Sequence, residues 1–234
     1  MDKQAFLFGY GRQGRSLAKS LRTDHFRLHI IESTPGYYEK AKSDKFLDVI
    51  LVDVTSDAEL EALHIDDDSY IVCVMEDEHL NVFLTLSLRA LYPNATIVAI
   101  SDSLYTTQKL KMAGANKIID IYKVSAYRIH NMLVRPVATK LLDSFISDDS
   151  KISFREMLIP KGSFLHGMMV EEVNFSEYGI LLVGMLDIEL SNKFIFITSG
   201  IDHKLDSGDT IVCMGYNEDL DRFRELITQK ETPA

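Results

Sequence analysis

The spacing that carries most chemistry lies at the start of the chain. The apolar run Phe6-Leu7-Phe8 leads directly into Gly9-Tyr10-Gly11-Arg12-Gln13-Gly14, and an amphipathic stretch read as a helix begins at the last glycine. Strand, glycine turn and helix in that order can hold a pyrophosphate: Gly9 makes the tight turn, Gly11 lets the backbone approach the phosphates, and Gly14 lets the helix lie close on a sheet. The helix N-terminus adds amide donors and the positive end of its dipole. Glu32 closes the second apolar run, where an acidic side chain would accept hydrogen bonds from an adenosine ribose. Ser33, Thr34 and Pro35 follow with no arginine, which points to NAD or NADH, or to ADP, ATP or AMP, rather than to NADP.

Other residues are expected around the same strand ends. Gln13 belongs to the glycine turn, and Arg12 and Arg15 fall in the first helical turn, a poor place for cations unless an anion compensates them. The competing reading is a pair of solvated arginines. Asp53 ends the third strand and is followed by Thr55, so it reads either as an adenine-side contact or as an Asx turn. Asn81 and Asp102 fall at the ends of later strands. Two acidic runs, Asp66-Asp67-Asp68 and Glu76-Asp77-Glu78-His79, offer oxygens of the kind calcium takes, although a solvated loop and an acidic helix start explain them as well.

An enzyme reading rests on thinner spacing. Tyr38 with Lys42 and Tyr105 with Lys109 have the Tyr-x-x-x-Lys separation that short-chain dehydrogenases use for proton transfer, but the glycine pattern is not the one found in those enzymes. His166 and His203 read as loop residues. Cys73 and Cys213 sit in apolar runs and are expected to be reduced and buried, and no cysteine and histidine spacing suits zinc.

The elements that position these residues are legible as an alternation. Six β-branched runs, from Ala5-Phe6-Leu7-Phe8 to Lys117-Ile118-Ile119, are separated by helical patterns such as Gly14, Leu17, Ala18 and Leu21, or Leu80, Phe83, Leu84, Leu88 and Leu91. This predicts a Rossmann-like, doubly wound parallel α/β sheet over 1–122. Ser56 with Glu59 reads as a capping box, Pro93-Asn94 closes one helix and Gly114 another. Residues 124–146 form an amphipathic stretch that Pro136 divides near Arg135, so 123–150 reads as a pair of helices. After Ser147-Asp148-Asp149-Ser150 the rhythm becomes strands and turns: Met157-Leu158-Ile159, Gly179 to Leu186, Phe194 to Thr198, Thr210 to Met214, then a charged helix from Glu218 to Gln229. The span 151–234 is expected to be a smaller α+β domain.

Composition closes off several classes. The 35 acidic and 25 basic residues give 234 residues a net charge of −10, the wrong sign for neutralising nucleic-acid phosphates. The longest unbroken apolar stretch, Ile180 to Leu186, is far short of the roughly 20 residues that cross a bilayer. Met1 is not followed by a secretory signal pattern, so a cytoplasmic location is expected.

Taken in order, several segments resemble the RCK family, the regulators of potassium conductance, also called KTN or TrkA-type domains. They are Gly9 to Gly14, Glu32, Val52-Asp53-Val54-Thr55, Glu76 to Asn81, Lys109 to Ile119, Ile159 to Gly167 and Leu205 to Gly215. The resemblance implies a nucleotide-sensing N-terminal lobe, crossover helices that join two subunits into a homodimer, and a tetrameric or octameric gating ring on a membrane potassium channel or a Trk or Ktr uptake system. It leaves open whether the chain is a free subunit or the soluble portion of a channel. Asp187 stands where the family often carries an arginine, so no ligand is assigned to the C-terminal module. The resulting expectation is a non-enzymatic regulator, with an NAD-dependent oxidoreductase as the alternative.

Overall fold

The computed structural model describes residues 3–22, 26–146, 150–189, 194–197 and 203–228. The chain divides into two compact units, 1–130 and 131–234.

The first unit is a six-stranded sheet in the order β3-β2-β1-β4-β5-β6, with every pair parallel. Its strands are β1 (Lys3–Phe8), β2 (Phe26–Glu32), β3 (Val49–Leu51), β4 (Tyr70–Cys73), β5 (Thr96–Ser101) and β6 (Lys117–Asp120). The connecting helices are α1 (Arg12–Leu21), α2 (Pro35–Ser43), α3 (Asp57–Glu61), α4 (Glu78–Leu91) and α5 (Leu104–Met112), followed by α6 (Ile121–Val134). The chain winds outward from β1 to β3, returns to β4 beside β1, and winds out the other way. A parallel sheet wound in two directions leaves a crevice at the carboxyl ends of the two strands where the order reverses, here β1 and β4. Strands and covering helices pack on both faces: Phe6, Phe8, Ile31, Ile71, Ile97 and, from α4, Leu84 belong to the core of one face, and Leu7, Ile30, Val74 and, from α1, Ala18 to that of the other.

Several local expectations shift. Helix α1 starts at Arg12, two residues before Gly14, with Gly11 as its N-cap. Ser56 caps α3 through the Glu59 N–H, but the Glu59 carboxylate accepts from the Asp53 N–H at 2.7 Å, so the box is not reciprocal. Phe83 is off the covering face of α4 and largely exposed; Asn81, Leu84, Thr85 and Leu88 are the buried residues there. Tyr38 with Lys42 and Tyr105 with Lys109 are neighbours one turn apart on α2 and α5, each ammonium within 4.5 Å of its ring centroid. They form cation–π pairs on helix surfaces.

The second unit has α7 (Pro136–Ile146), then a four-stranded antiparallel sheet in the order β7-β10-β8-β9 and a closing helix α8 (Asn217–Thr228). The strands are β7 (Ile152–Leu158), β8 (Ile180–Leu186), β9 (Phe194–Phe196) and β10 (Thr210–Tyr216). Strand β7 begins five residues before the expected Met157, because Ser153 and Arg155 alternate with Ile152 and Phe154 along an edge strand. The core gathers Met157, Met185, Ile211, Leu220 and Phe223, and two short 3-10 turns, Val170–Glu172 and Phe175–Tyr178, lead into β8. Thr198, Gln229 and the Ser147-to-Asp149 segment lie outside the described residues.

Helices α6 and α7 meet at Arg135, as Pro136 predicts, with α6 starting at Ile121 rather than 124. No side chain of α6 is buried, and Tyr122, Tyr127, Met132, Val137 and Leu141 are more than half exposed. No helix among the described residues is long and apolar enough to cross a membrane. Cys73 and Cys213 are free and buried, and burial pushes both thiols up to about 12.

Candidate functional site

The crevice at β1 and β4 is built first by backbone. Gly9 turns the chain with φ +104°, its N–H donating to the Ile31 carbonyl at 2.9 Å, and a Cβ there would lie 2.8 Å from the Val74 carbonyl oxygen. Gly14 lies directly beneath, where a Cβ would run into the Gly9 carbonyl. The two glycines therefore let the first turn of α1 settle onto the end of β1. Gly11 caps α1 without a side chain, and no acidic residue lies in the first turn, so neither the cap nor the turn itself offsets the positive end of the helix.

Glu32 sits at the end of β2 with only 2% of its surface exposed. Its carboxylate accepts three backbone N–H groups: Tyr10 on Oε1, and Ser33 and Thr34 on Oε2, both at 3.0 Å. Tyr10, between the two glycines, sends its ring into the core beside Phe46 and its hydroxyl to Asp44 at 2.9 Å. Arg15 grips the same carboxylate at 2.8 Å, so this arginine has a protein anion as its partner, a correction to the expectation that both arginines await a ligand. Asp44 is held below its ordinary range by the Tyr10 hydroxyl and then by Arg15, against the opposing effect of burial. Arg12 is exposed and has no ion pair among the described residues.

Three clefts meet at the glycine turn. The first, about 180 Å³, is lined by Gly9, Gly11, Glu32, Thr34, Met75 and Leu80. The second, about 600 Å³, is basic, with Arg12, Arg15, Lys19 and Lys40 around Tyr37. The third, about 310 Å³, holds Arg12, Gln13, Glu78, Asn81, Asp102 and Ile121. A larger hollow at Arg27-Leu28 and Phe46-Leu47 lies at the start of β2, and none of the residues picked from the sequence lines it.

Most of the expected residues thus converge, with different duties. Asn81 is buried and structural in its bonding: its amide accepts from the Met75 N–H and donates to the Cys73 and Ile100 carbonyls, clamping the ends of β4 and β5. One Asp102 carboxylate oxygen is buried with no hydrogen-bond partner among the described residues. Asp53 lies two residues past β3, exposed, outside the three clefts, and accepts from the Thr55 N–H and hydroxyl at 2.9 and 2.6 Å, an Asx turn. The acidic run after β4 is divided among tasks: Asp77 caps α4 through the His79 and Leu80 N–H groups, Glu78 accepts from the Thr106 hydroxyl, and Glu76 faces Gly11. Among the described residues no group of three His, Cys, Asp or Glu could hold a metal ion. Spacing alone does not reveal Tyr37 and Glu76, whose contact joins residues 39 apart at 2.7 Å.

Both units have counterparts among known proteins. A family model described as the TrkA-N domain matches residues 5–121, and one described as the TrkA-C domain matches 154–228. The chain is 28% identical over 233 residues to "Probable potassium channel protein 2" of Methanocaldococcus jannaschii, covering 95% of this chain and 66% of that protein. It is 25% identical over 228 residues to "Potassium channel protein 1" of the same organism, covering 97% and 67%. The chain thus spans about two thirds of the length of these curated relatives. The human SLO3 gating ring shares the fold, with a TM-score of 0.63 at 13% identity over 94% of this chain and 46% of that one. With one family model laid over the parallel sheet and its glycine turn and the other over the antiparallel unit, the chain belongs to the TrkA-N family and carries a TrkA-C domain behind its TrkA-N domain.

Proposed function

We propose that this chain is a cytoplasmic regulatory unit of a potassium channel or potassium uptake system, and that its crevice at β1 and β4 binds an adenine nucleotide. The observation that carries the reading is the meeting of Gly9, Gly11 and Glu32 in one cleft at the point where the strand order reverses. The residues fit such a ligand. Gly11 puts no side chain of its own beside the N-terminus of α1, where a phosphate would take the helix amides, Arg12 supplies a cation there, and Glu32 is the ribose acceptor. The unpartnered oxygen of Asp102 in the adjoining cleft would accept from a second hydroxyl or amide, which favours NAD or NADH over a mononucleotide. Gln13 and Asn81 flank that second position, and Asp53, folded into its own turn, is left out of the lining.

The names of the relatives supply the transport side of the proposal, since both M. jannaschii proteins are described as potassium channel proteins. The exposed apolar faces of α6 and α7 are suited to pairing two copies, as a first step toward a larger ring. Nucleotide bound more tightly by one arrangement of the paired subunits would shift the population toward it. An oxidoreductase is the less favoured reading, because Tyr38, Lys42, Tyr105 and Lys109 line none of the three clefts.

The test is a thermal-shift titration against NAD, NADH, ADP, ATP, AMP and calcium, with sedimentation of the protein alone. A ligand at about 100 times its Kd stabilises a folded state by about 2.7 kcal/mol. Stabilisation by a nucleotide that is recovered unchanged, from a protein that sediments as a dimer or larger, is expected. A monomer that none of the nucleotides stabilises overturns the proposal.

A further inference from the structure

The carboxylate of Glu76 stands in the mouth of the glycine turn. Its Oε1 accepts the backbone N–H of Arg12 at 3.4 Å, and its Oε2 accepts the Tyr37 hydroxyl at 2.7 Å. Arg12 is the first residue of α1, whose cap, Gly11, has no side chain. Glu76 therefore reaches over from the loop after β4 to do what a capping side chain would do locally. The approach is close: a Cβ on Gly11 would lie 2.6 Å from both Cγ and Oε1 of Glu76. Among the described residues, Glu76 alone lines all three clefts around the turn. The hydrogen bond from Tyr37 fixes it there, and the same bond, followed by burial, raises the Tyr37 hydroxyl above its ordinary range.

A phosphate bound at the turn would use the same amide and the same positive helix end. A carboxylate and a phosphate are both anions and repel each other, so the two do not share one position at the helix end.

We infer that Glu76 is an internal anion that competes with the nucleotide's phosphate for the N-terminus of α1, and that the nucleotide binds by displacing it. The inference rests on the reading of the crevice as a nucleotide site and adds a regulatory element to it. Glu76 precedes Asp77, the N-cap of α4. Its displacement thus acts on the segment that joins β4 to α4, a local route by which phosphate binding reaches an element outside the cleft.

This assignment predicts an effect opposite to that of an ordinary binding residue. Glu76→Gln keeps the size of the side chain and removes its charge, so binding of NAD and of ADP, measured by calorimetry, should tighten by about fivefold or more, the scale of a modest coupling between neighbouring charges. Glu76→Ala should tighten it at least as much, and Tyr37→Phe, which releases the anchor, by a smaller factor. Glu39→Gln, on the exposed face of α2, removes the same formal charge elsewhere and should leave affinity unchanged. Thermal melts of each variant establish folding, and the conservative Gln and Phe changes serve if the alanine variant fails to fold. Wild-type binding with equal or weaker binding by Glu76→Gln and Tyr37→Phe overturns the inference and leaves the nucleotide site standing. Absence of binding by the wild type and every variant overturns the nucleotide site, and the inference with it.

Discussion

The backbone N–H of Tyr10 donates to the buried carboxylate of Glu32, so the turn after β1 is tied to the end of β2 by one side chain. The second oxygen of that carboxylate holds the Ser33 and Thr34 N–H groups. All three partners are donors, and a glutamine offers only one acceptor oxygen. Glu32→Gln must therefore turn its NH₂ toward at least one amide donor despite being nearly the same shape. A loss of about 1–3 kcal/mol is expected for Glu32→Gln in urea unfolding, and at least as much for Glu32→Ala, from donors left unsatisfied. Nucleotide affinity should fall in both. A Glu32→Ala protein with wild-type affinity would remove Glu32 from the site.

Gly14 and Gly36 make a contrasting pair. A Cβ at Gly14 would run into the Gly9 carbonyl, with Val74 Cγ2 at 3.1 Å on another side, whereas nothing lies within 4 Å of one at Gly36. Backbone cannot swing aside as a side chain can. Gly14→Ala should cost about 3 kcal/mol or more and abolish nucleotide binding, by lifting α1 off the sheet. Gly36→Ala, at the second residue of α2, should be neutral or stabilise by up to about 1 kcal/mol. Thermal melts of the two variants side by side provide the check.

How far the sequence could be read follows from which interactions are local. The parallel strands announce themselves because both faces of β1, β4 and β5 are covered, so Phe6-Leu7-Phe8 and Ile71-Val72-Cys73 read as unbroken apolar runs. The glycine turn is legible because its three glycines fall within six residues, although the atoms that crowd Gly9 and Gly11 belong to Val74 and Glu76. Phe83 misleads because Asn81 and Thr85 are polar residues buried by hydrogen bonding, and they take the face that hydrophobicity alone would give to Phe83. Glu59 misleads because a carboxylate three residues after Ser56 is equally able to reach the Asp53 N–H. In the crevice, Gly9, Gly11 and Glu32 could be found by spacing. The pairing of Arg15 with Asp44 and of Tyr37 with Glu76 could not, since only the crossovers of the sheet bring residues 29 and 39 apart into contact.

The Tyr10 and Asp44 pair gives the first unit a pH dependence at both extremes. Burial, and then the Asp44 carboxylate, raises the Tyr10 hydroxyl from 10.0 to about 12. The folded state thus favours the neutral phenol, so this contribution is fully present below pH 10 and is lost as pH rises toward 12. Asp44 is shifted the other way, lowered by Tyr10 and Arg15. Its contribution is present above the ordinary carboxylate value of 3.8 and is lost as pH falls through its lowered folded value. Tyr10→Phe abolishes the alkaline part and weakens the acid part, leaving Arg15 on Asp44. The difference in urea midpoint between wild type and Tyr10→Phe should be flat from pH 5 to 9 and shrink between pH 10 and 12. A difference independent of pH across the alkaline range would mean that the phenol is not held in its neutral form.

Arg89 offers the sharpest test of how the far side of the sheet is fastened. From the last turn of α4 its guanidinium donates through Nε to the Gly114 carbonyl at 3.0 Å and through Nη1 to the Tyr92 and Pro93 carbonyls at 3.2 and 2.6 Å, while Nη2 reaches Asn116 Oδ1. One side chain thus caps α4 and holds the turn after α5. Gly114 has φ +99°, and a Cβ there would lie 2.6 Å from Arg89 Cγ, so the glycine and the arginine are fitted to each other. Asn116 in turn accepts the Ile97 N–H at 2.7 Å and passes the constraint into β5. Arg89→Ala leaves these carbonyls to water and should cost about 2 kcal/mol in urea unfolding. Arg89→Lys keeps the charge but has a single ammonium that cannot fork across four acceptors on two segments, so it should recover less than half of the loss. Amide hydrogen exchange should localise the damage, with faster exchange at Ala113 and Ala115 and little change in β1. An Arg89→Lys protein as stable as wild type would show that charge near the end of α4, rather than the fork, is what matters.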